Sequence, residues 1–194
     1  IVSLVGSEMC IRDSDKLFNR SILINPDGDI ISIYDKIHMF DITLKNGESY
    51  KESDFYSPGS ELKITKVLGH SVGHTICYDL RYPKLYRALA KKGSQIIVVP
   101  SAFTHTTGKA HWHSLIKARA IENGVFILAP NQWGVNNEKR VTYGHTLIVD
   151  PWGETLAEAE DGEMIITAEL DLNRVRECQL SLIHISEPTR LTMI

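Results

Sequence analysis

The sequence has 194 residues, 21 basic and 24 acidic side chains, a formal charge of −3 and 43% hydrophobic residues. That balance suits one soluble globular domain; it excludes a basic nucleic-acid binder and leaves no apolar run of the ~18 residues that a membrane span needs. Three cysteines do not make a disulfide framework in a chain of this length, which points to a reducing cytoplasm.

In chain order, the first stretch is the least protein-like. "LVGSEMCIRD", residues 4–13, is encoded by CTCGTGGGCTCGGAGATGTGTATAAGAGAC, and the complementary strand, started two bases earlier, encodes "LSLIHISEPT", which is residues 180–189. Two natural segments have no reason to be reverse-complement translations of each other, and the DNA resembles a sequencing-library adapter. The expectation is that residues 1–14 and 180–194 are adapter-derived and that residues 15–179 are a fragment of a longer protein; the alternative is natural termini with chance complementarity. Cys10, His184 and Pro188 are therefore left out of the functional reading.

"RSILINPDGDIISIYDK" alternates apolar and polar residues about Asp27-Gly28, the pattern of a hairpin with a tight turn. Residues 46–59 are polar and rich in Gly and Ser, a loop. Residues 62–68 and 72–76 predict a second strand pair around Gly69-His70. A helix follows over residues 83–92. "SQIIVVP" and "VFILAPN" are short continuous apolar runs, the pattern of strands buried on both faces, with Val98, Val99, Ile127 and Leu128 inside them. Between them "GKAHWHSLIKARAIENG" is a helix with Trp112, Leu115, Ile116 and Ala120 on its apolar side and Gly124 as its stop. "RVTYGHTLIVDPWGETLAEA" predicts a hairpin turning over residues 150–153, and "EMIITAELDL" a final strand. Strands alternating with helices early and pairing as hairpins late predict an α/β layered sandwich with mixed sheets.

Four features carry possible chemistry. Cys77, in "TICYDLRYP", lies where a strand gives way to a helix, the sheet edge at which reacting groups gather in α/β proteins. There it is either a nucleophile or a small core residue. Lys36, in "YDKIHMFD", ends a strand; it is either a solvated edge lysine or a cation that holds developing negative charge. Glu52, in "SYKESDFYSPG", is a lone acid in a polar loop. His105, His111 and His113, in "HTTGKAHWH", suggest a metal, but no cysteine or acid pair stands at ligand spacing, and His111 and His113 point in different directions on a helix. No metal is expected. A Cys-His dyad built on Cys77 and a remote histidine stays open, as does a non-catalytic sandwich that binds a partner.

These motifs in this order resemble the nitrilase, or carbon–nitrogen hydrolase, superfamily, over nearly all of residues 15–178. "YDKIHMFD" resembles the lysine motif, "TICYDLRYP" the nucleophile motif and "KES" the loop of an accessory glutamate. "PSAFTHTTGKAHWHSLIKARAIENG" and "TYGHTLIVDPWGE" are most similar to amidases of deaminated glutathione, then to omega-amidases; carbamoylases and nitrilases are further alternatives. The resemblance implies an αββα sandwich, truncated here at both ends. It also implies a homodimer or larger homo-oligomer, a small-molecule amide substrate, and no metal or organic cofactor. It implies catalysis by Cys77 as nucleophile, Lys36 and the backbone N–H of Tyr78 at the oxyanion, and Glu52 orienting Lys36. The proton-transferring glutamate belongs upstream of the lysine. Glu8 is the one glutamate before Lys36, and it falls in the adapter-like stretch. The chain as written is therefore expected to lack its base, to be inactive and to fold poorly.

Overall fold

The structure is a computed structural model and describes residues 9–13, 16–43, 47, 49–137 and 140–181. Of the stretches read as adapter-derived, residues 1–8, 14 and 182–194, Glu8 included, lie outside the described residues. Met9–Asp13 forms β1, antiparallel to β2 (Lys16–Ile24). β2 turns through Asn25–Asp29 into β3 (Ile30–Asp35), the hairpin predicted. The Asn25 side chain accepts the N–H groups of Asp27 and Asp29, the local bond that favours Asn at turns. The expected loop contains β5 (Ser49–Lys51), which pairs with β4 (Asp41–Thr43) just before the loop, and a 3-10 turn over Glu52–Asp54. Three-residue strands with exposed ends leave too little periodicity to read in the sequence.

The main sheet has six strands. β6 (Ile64–Val67) and β7 (His70–His74) form the predicted pair. β8 (Ile96–Val98) runs parallel to β7, and β9 (Phe126–Ala129) parallel to β8. β12 (Leu147–Val149) and β13 (Thr155–Glu158) complete it antiparallel, joined by the predicted turn at residues 150–153. The first half of that predicted hairpin belongs elsewhere. β11 (Arg140–Tyr143) pairs with β10 (Trp133–Asn137), because Gly144 and His145 both take positive φ, 74° and 57°, and break the strand.

Helices α1 (Pro83–Lys91) and α2 (His105–Asn123) cover one face of this sheet. α1 carries proline at its first position and α2 stops at Gly124, φ 59°, as helix-end chemistry requires. Trp112, Ile116 and Ala120 of α2 pack with Ile97, Ile127 and Leu147 of the sheet, and Leu115 is partly buried beside them. The opposite face carries Val72, His74, Val98 and Phe126. The three-stranded sheet lies over it at the β6–β7 end, where Thr65 donates to Ser32 of β3. Val98, Val99 and Ile127 are buried, as expected, but Leu128 is only half-buried, since the smaller sheet covers only part of that face.

Residues 163–172 form no strand among the described residues. The apolar alternation that predicted one is real, but a strand needs a ladder partner, and Met164 and Ile165 face solvent. The chain instead reaches α3 (Asn173–Ser181), anchored by Val175 and Cys178, a helix whose weak periodicity the sequence reading missed.

One buried carboxylate joins the two sheets. Asp79, wholly buried, stands in the 3-10 turn Cys77–Arg81 that follows β7. It accepts the Tyr34 hydroxyl at 2.6 Å, the Ile76 N–H at 2.9 Å and the His38 N–H at 3.0 Å, with His38 Nδ1 at 2.7 Å. Burial, reinforced by Asp79, raises the Tyr34 pKa well above its ordinary value, so the phenol stays a donor.

Asp79→Asn puts an amide donor among these donors and should destabilise the fold by on the order of 3 kcal/mol, against roughly 1 for Tyr34→Phe, which removes one bond; urea unfolding measures both. His74 gives a second expectation. Burial, then Lys63, lowers its pKa to about 4, whereas the unfolded histidine titrates near ~6.5. On acidification the unfolded state takes the proton first, so stability is lost as pH falls from ~6.5 towards ~4. His74→Gln should flatten the pH dependence of unfolding over that window.

Candidate active site

Cys77 opens the 3-10 turn after β7 with φ 45°, in the left-handed region. A non-glycine residue stays there only where its surroundings fix it. Here three bonds do so: the Cys77 N–H donates to Pro100 O at 2.9 Å, the Asp79 N–H donates to Ile76 O at 3.0 Å, and Ile76 N–H is held by Asp79. Cys77 is therefore presented by a strained turn between β7 and α1, the junction at which the sequence placed it. Its burial is intermediate, and it borders a cavity of about 570 Å³. Cys77 thus packs against the main core on one side and borders the cavity on the other.

Lys36 follows β3 directly and is buried, so it is not a solvated edge lysine. Its Nζ lies 2.9 and 2.7 Å from the two carboxylate oxygens of Glu52. Its backbone is clamped on both sides: the N–H donates to Asn19 O at 2.9 Å and the carbonyl accepts the Gly59 N–H at 2.8 Å. A Cβ at position 59 would collide with the carbonyl of Asp35, so the close approach requires glycine.

Glu52 begins its own 3-10 turn. Besides Lys36 it accepts the Phe40 N–H at 2.6 Å and Asn19 Nδ2 at 3.1 Å. The side chains of Lys36 and Glu52 are only 3% and 12% exposed. Removing one partner of such a pair strands a buried charge, at roughly 3–5 kcal/mol.

Lys36, Glu52, Cys77 and Tyr78 all line one cavity, so three segments far apart in the sequence converge there. Arg81, Thr104, Thr107 and Arg140 share its wall. Thr104 caps α2 by accepting the Thr107 N–H, which turns the positive end of that helix dipole towards the cavity. Lys36, Lys51, Arg81 and Arg140 face a single acid, Glu52, among the described lining residues. No histidine is among them. His111 lies beside Arg81, 3.3 Å from its Nη2, and His113 bonds to Glu158. A Cys-His dyad therefore finds no support in this geometry.

The sequence reading missed Asn19, Arg81, Asp79 and Arg140 as parts of the site. Asp79 and Arg81 stood inside the quoted nucleophile motif, but nothing in their spacing shows which atoms they reach. Arg140 comes from a hairpin whose pairing was misread.

The chain matches the carbon-nitrogen hydrolase family over residues 1–179. It is 45% identical over 176 residues to the "Probable hydrolase nit2" of Schizosaccharomyces pombe, covering 86% of this chain and 64% of that protein. It is 40% identical over 168 residues to a deaminated glutathione amidase of Synechocystis, covering 85% of this chain and 61% of that one. It is also 40% identical over 172 residues to omega-amidase NIT3 of Saccharomyces cerevisiae, covering 88% and 59%. The chain thus spans less than two thirds of the length of these relatives. The crystal structure of the C. elegans NitFhit protein superposes with a TM-score of 0.84 at 36% identity, covering 90% of this chain and 42% of that one. With a family match over nearly the whole chain and relatives at 40–45% identity, the chain belongs to the carbon–nitrogen hydrolase family.

Proposed function

We propose that the protein hydrolyses a small carboxylate-bearing amide to a carboxylate and ammonia through a thioester on Cys77. The single observation that carries this reading is the convergence of Cys77, Lys36 and Glu52 on one cavity. In this reading the Cys77 sulfur attacks the amide carbon, and the carbonyl oxygen becomes an oxyanion facing Lys36 Nζ and the Tyr78 N–H. The C–N bond then breaks, and the nitrogen leaves as ammonia once protonated. Water attacks the thioester, releases the carboxylate and restores the thiol.

Glu52 is a holder here and not the base. Lys36, Phe40 and Asn19 already engage both of its oxygens, which favours an ionised acceptor that fixes the Lys36 ammonium. Proton transfer from the thiol to the leaving nitrogen is assigned to a second glutamate, which is not among the described residues lining the cavity.

The substrate class follows from charge. Four cationic side chains and the capped start of α2 face one acid, an environment suited to an anionic amide. Relatives are named deaminated glutathione amidase and omega-amidase, and a neutral nitrile would leave this charge unused. A homodimer or larger oligomer in the cytoplasm belongs to the same reading. Among the described residues no helix is long and apolar enough to cross a membrane.

In enzyme of full family length, Cys77→Ala should abolish ammonia release, and Cys77→Ser should lose most of it, because a hydroxyl is the weaker nucleophile. Mass spectrometry with a slow amide should trap an acyl adduct on Cys77; a normal rate in the alanine variant would refute the proposal. Lys36→Ala should lower kcat by on the order of 10²–10³ with little change in KM. Glu52→Gln should also lower kcat while iodoacetamide still alkylates Cys77. A change in KM alone would assign both residues to substrate binding.

A further inference from the structure

Away from the cavity, three potential ligands from three elements converge. His113 lies on α2, His145 at the bend between β11 and β12, and Glu158 at the end of β13. His113 Nε2 and His145 Nδ1 each lie 2.8 Å from the same oxygen, Glu158 Oε1. The three donor atoms are all within 4.8 Å of one another, and none of these residues lines the cavity that holds Cys77. We propose that His113, His145 and Glu158 form a binding site for a divalent transition metal, with zinc the best match.

Two imidazoles and one carboxylate are a donor set that zinc accepts, with a fourth position left for water. Zinc bonds of about 2.0–2.2 Å place tetrahedral ligands about 3.4 Å apart. The present spacing of 2.8 Å therefore has to open by a few tenths of an ångström. These side chains are 28–36% exposed, so they have room to move. Metal binding needs the lone pairs of His113 Nε2 and His145 Nδ1. Each neutral ring supplies one by carrying its proton on the other nitrogen, so no net proton leaves the histidines.

The surroundings hold the ligands in place. His145 sits at φ 57° after Gly144, and its carbonyl accepts the Trp112 indole N–H at 2.7 Å. The Tyr143 ring stacks on His145, with centroids 4.4 Å apart and planes at 29°, and meets His113 edge-on. Trp112 is wholly buried, so one ligand is tied through its own backbone to the core. Fixing ligands through such outer contacts is what sets metal affinity. The site would clip α2 to the far edge of the main sheet. Its role is structural, and it takes no part in the amide chemistry.

The test is zinc titration by calorimetry on enzyme of full family length carrying Cys77→Ser, so that the cavity thiol does not compete. One zinc per chain should bind. His113→Gln and Glu158→Gln should each weaken binding by about tenfold or more, with unchanged far-UV circular dichroism. If His113→Gln alters the dichroism, Glu158→Gln decides alone. Cobalt(II) should give the visible absorption of a four- or five-coordinate centre, absent in the variants. No uptake at about 100 μM zinc, a free energy near −5.5 kcal/mol, would overturn the proposal, as would equal affinity in every variant.

Discussion

The site depends on one buried acid that does not border its cavity. Asp79 holds four donors from three places in the chain: a tyrosine on β3, the backbone and ring of His38 just after Lys36, and the amide before Cys77. A carboxylate taken wholly out of water is costly unless its lone pairs are filled. With them filled, it forces the lysine segment and the cysteine segment into one register. Cys77 keeps its left-handed turn, and Lys36 leaves β3 in the right direction, because both are referred to the same carboxylate. Neither could be displaced without exposing the other to an unpaired buried charge.

Around this pin the charged groups are arranged by direction as much as by sign. Lys36 enters from the smaller sheet, Cys77 from the main sheet, and Glu52 from a turn that belongs to neither. Glu52 spends its oxygens on Lys36 and on the backbone of Phe40, so the ammonium has one position to occupy. In the proposed reaction, a cation held still before substrate arrives need not reorganise as negative charge develops.

Much of this was legible in the sequence, for identifiable reasons. The β2–β3 hairpin announced itself by alternation about Asp27-Gly28, and α2 by its Trp112, Ile116 and Ala120 stripe and its Gly124 stop. Lys36, Glu52 and Cys77 were legible through the motifs around them, since periodicity left each with an ordinary alternative. What stayed hidden depends on tertiary pairing. Residues 163–172 carry a strand's alternation but no ladder. Arg140–Tyr143 reads as continuous with Leu147–Val149 until the backbone turns left-handed at Gly144. The His113, His145 and Glu158 cluster escaped a search by spacing because the two histidines meet a carboxylate on a strand 13 and 45 residues further along the chain.

The amide of Cys77 closes onto Pro100, which lies beyond α1 and β8 in the chain. This has a consequence for synthesis. Until the chain has been made as far as Pro100, the bond that anchors the Cys77 amide has no acceptor. The left-handed turn gains that anchor only with Pro100 beside it, just past the end of the strand paired with β7. The order of translation thus delivers the thiol before the carbonyl that fixes its turn.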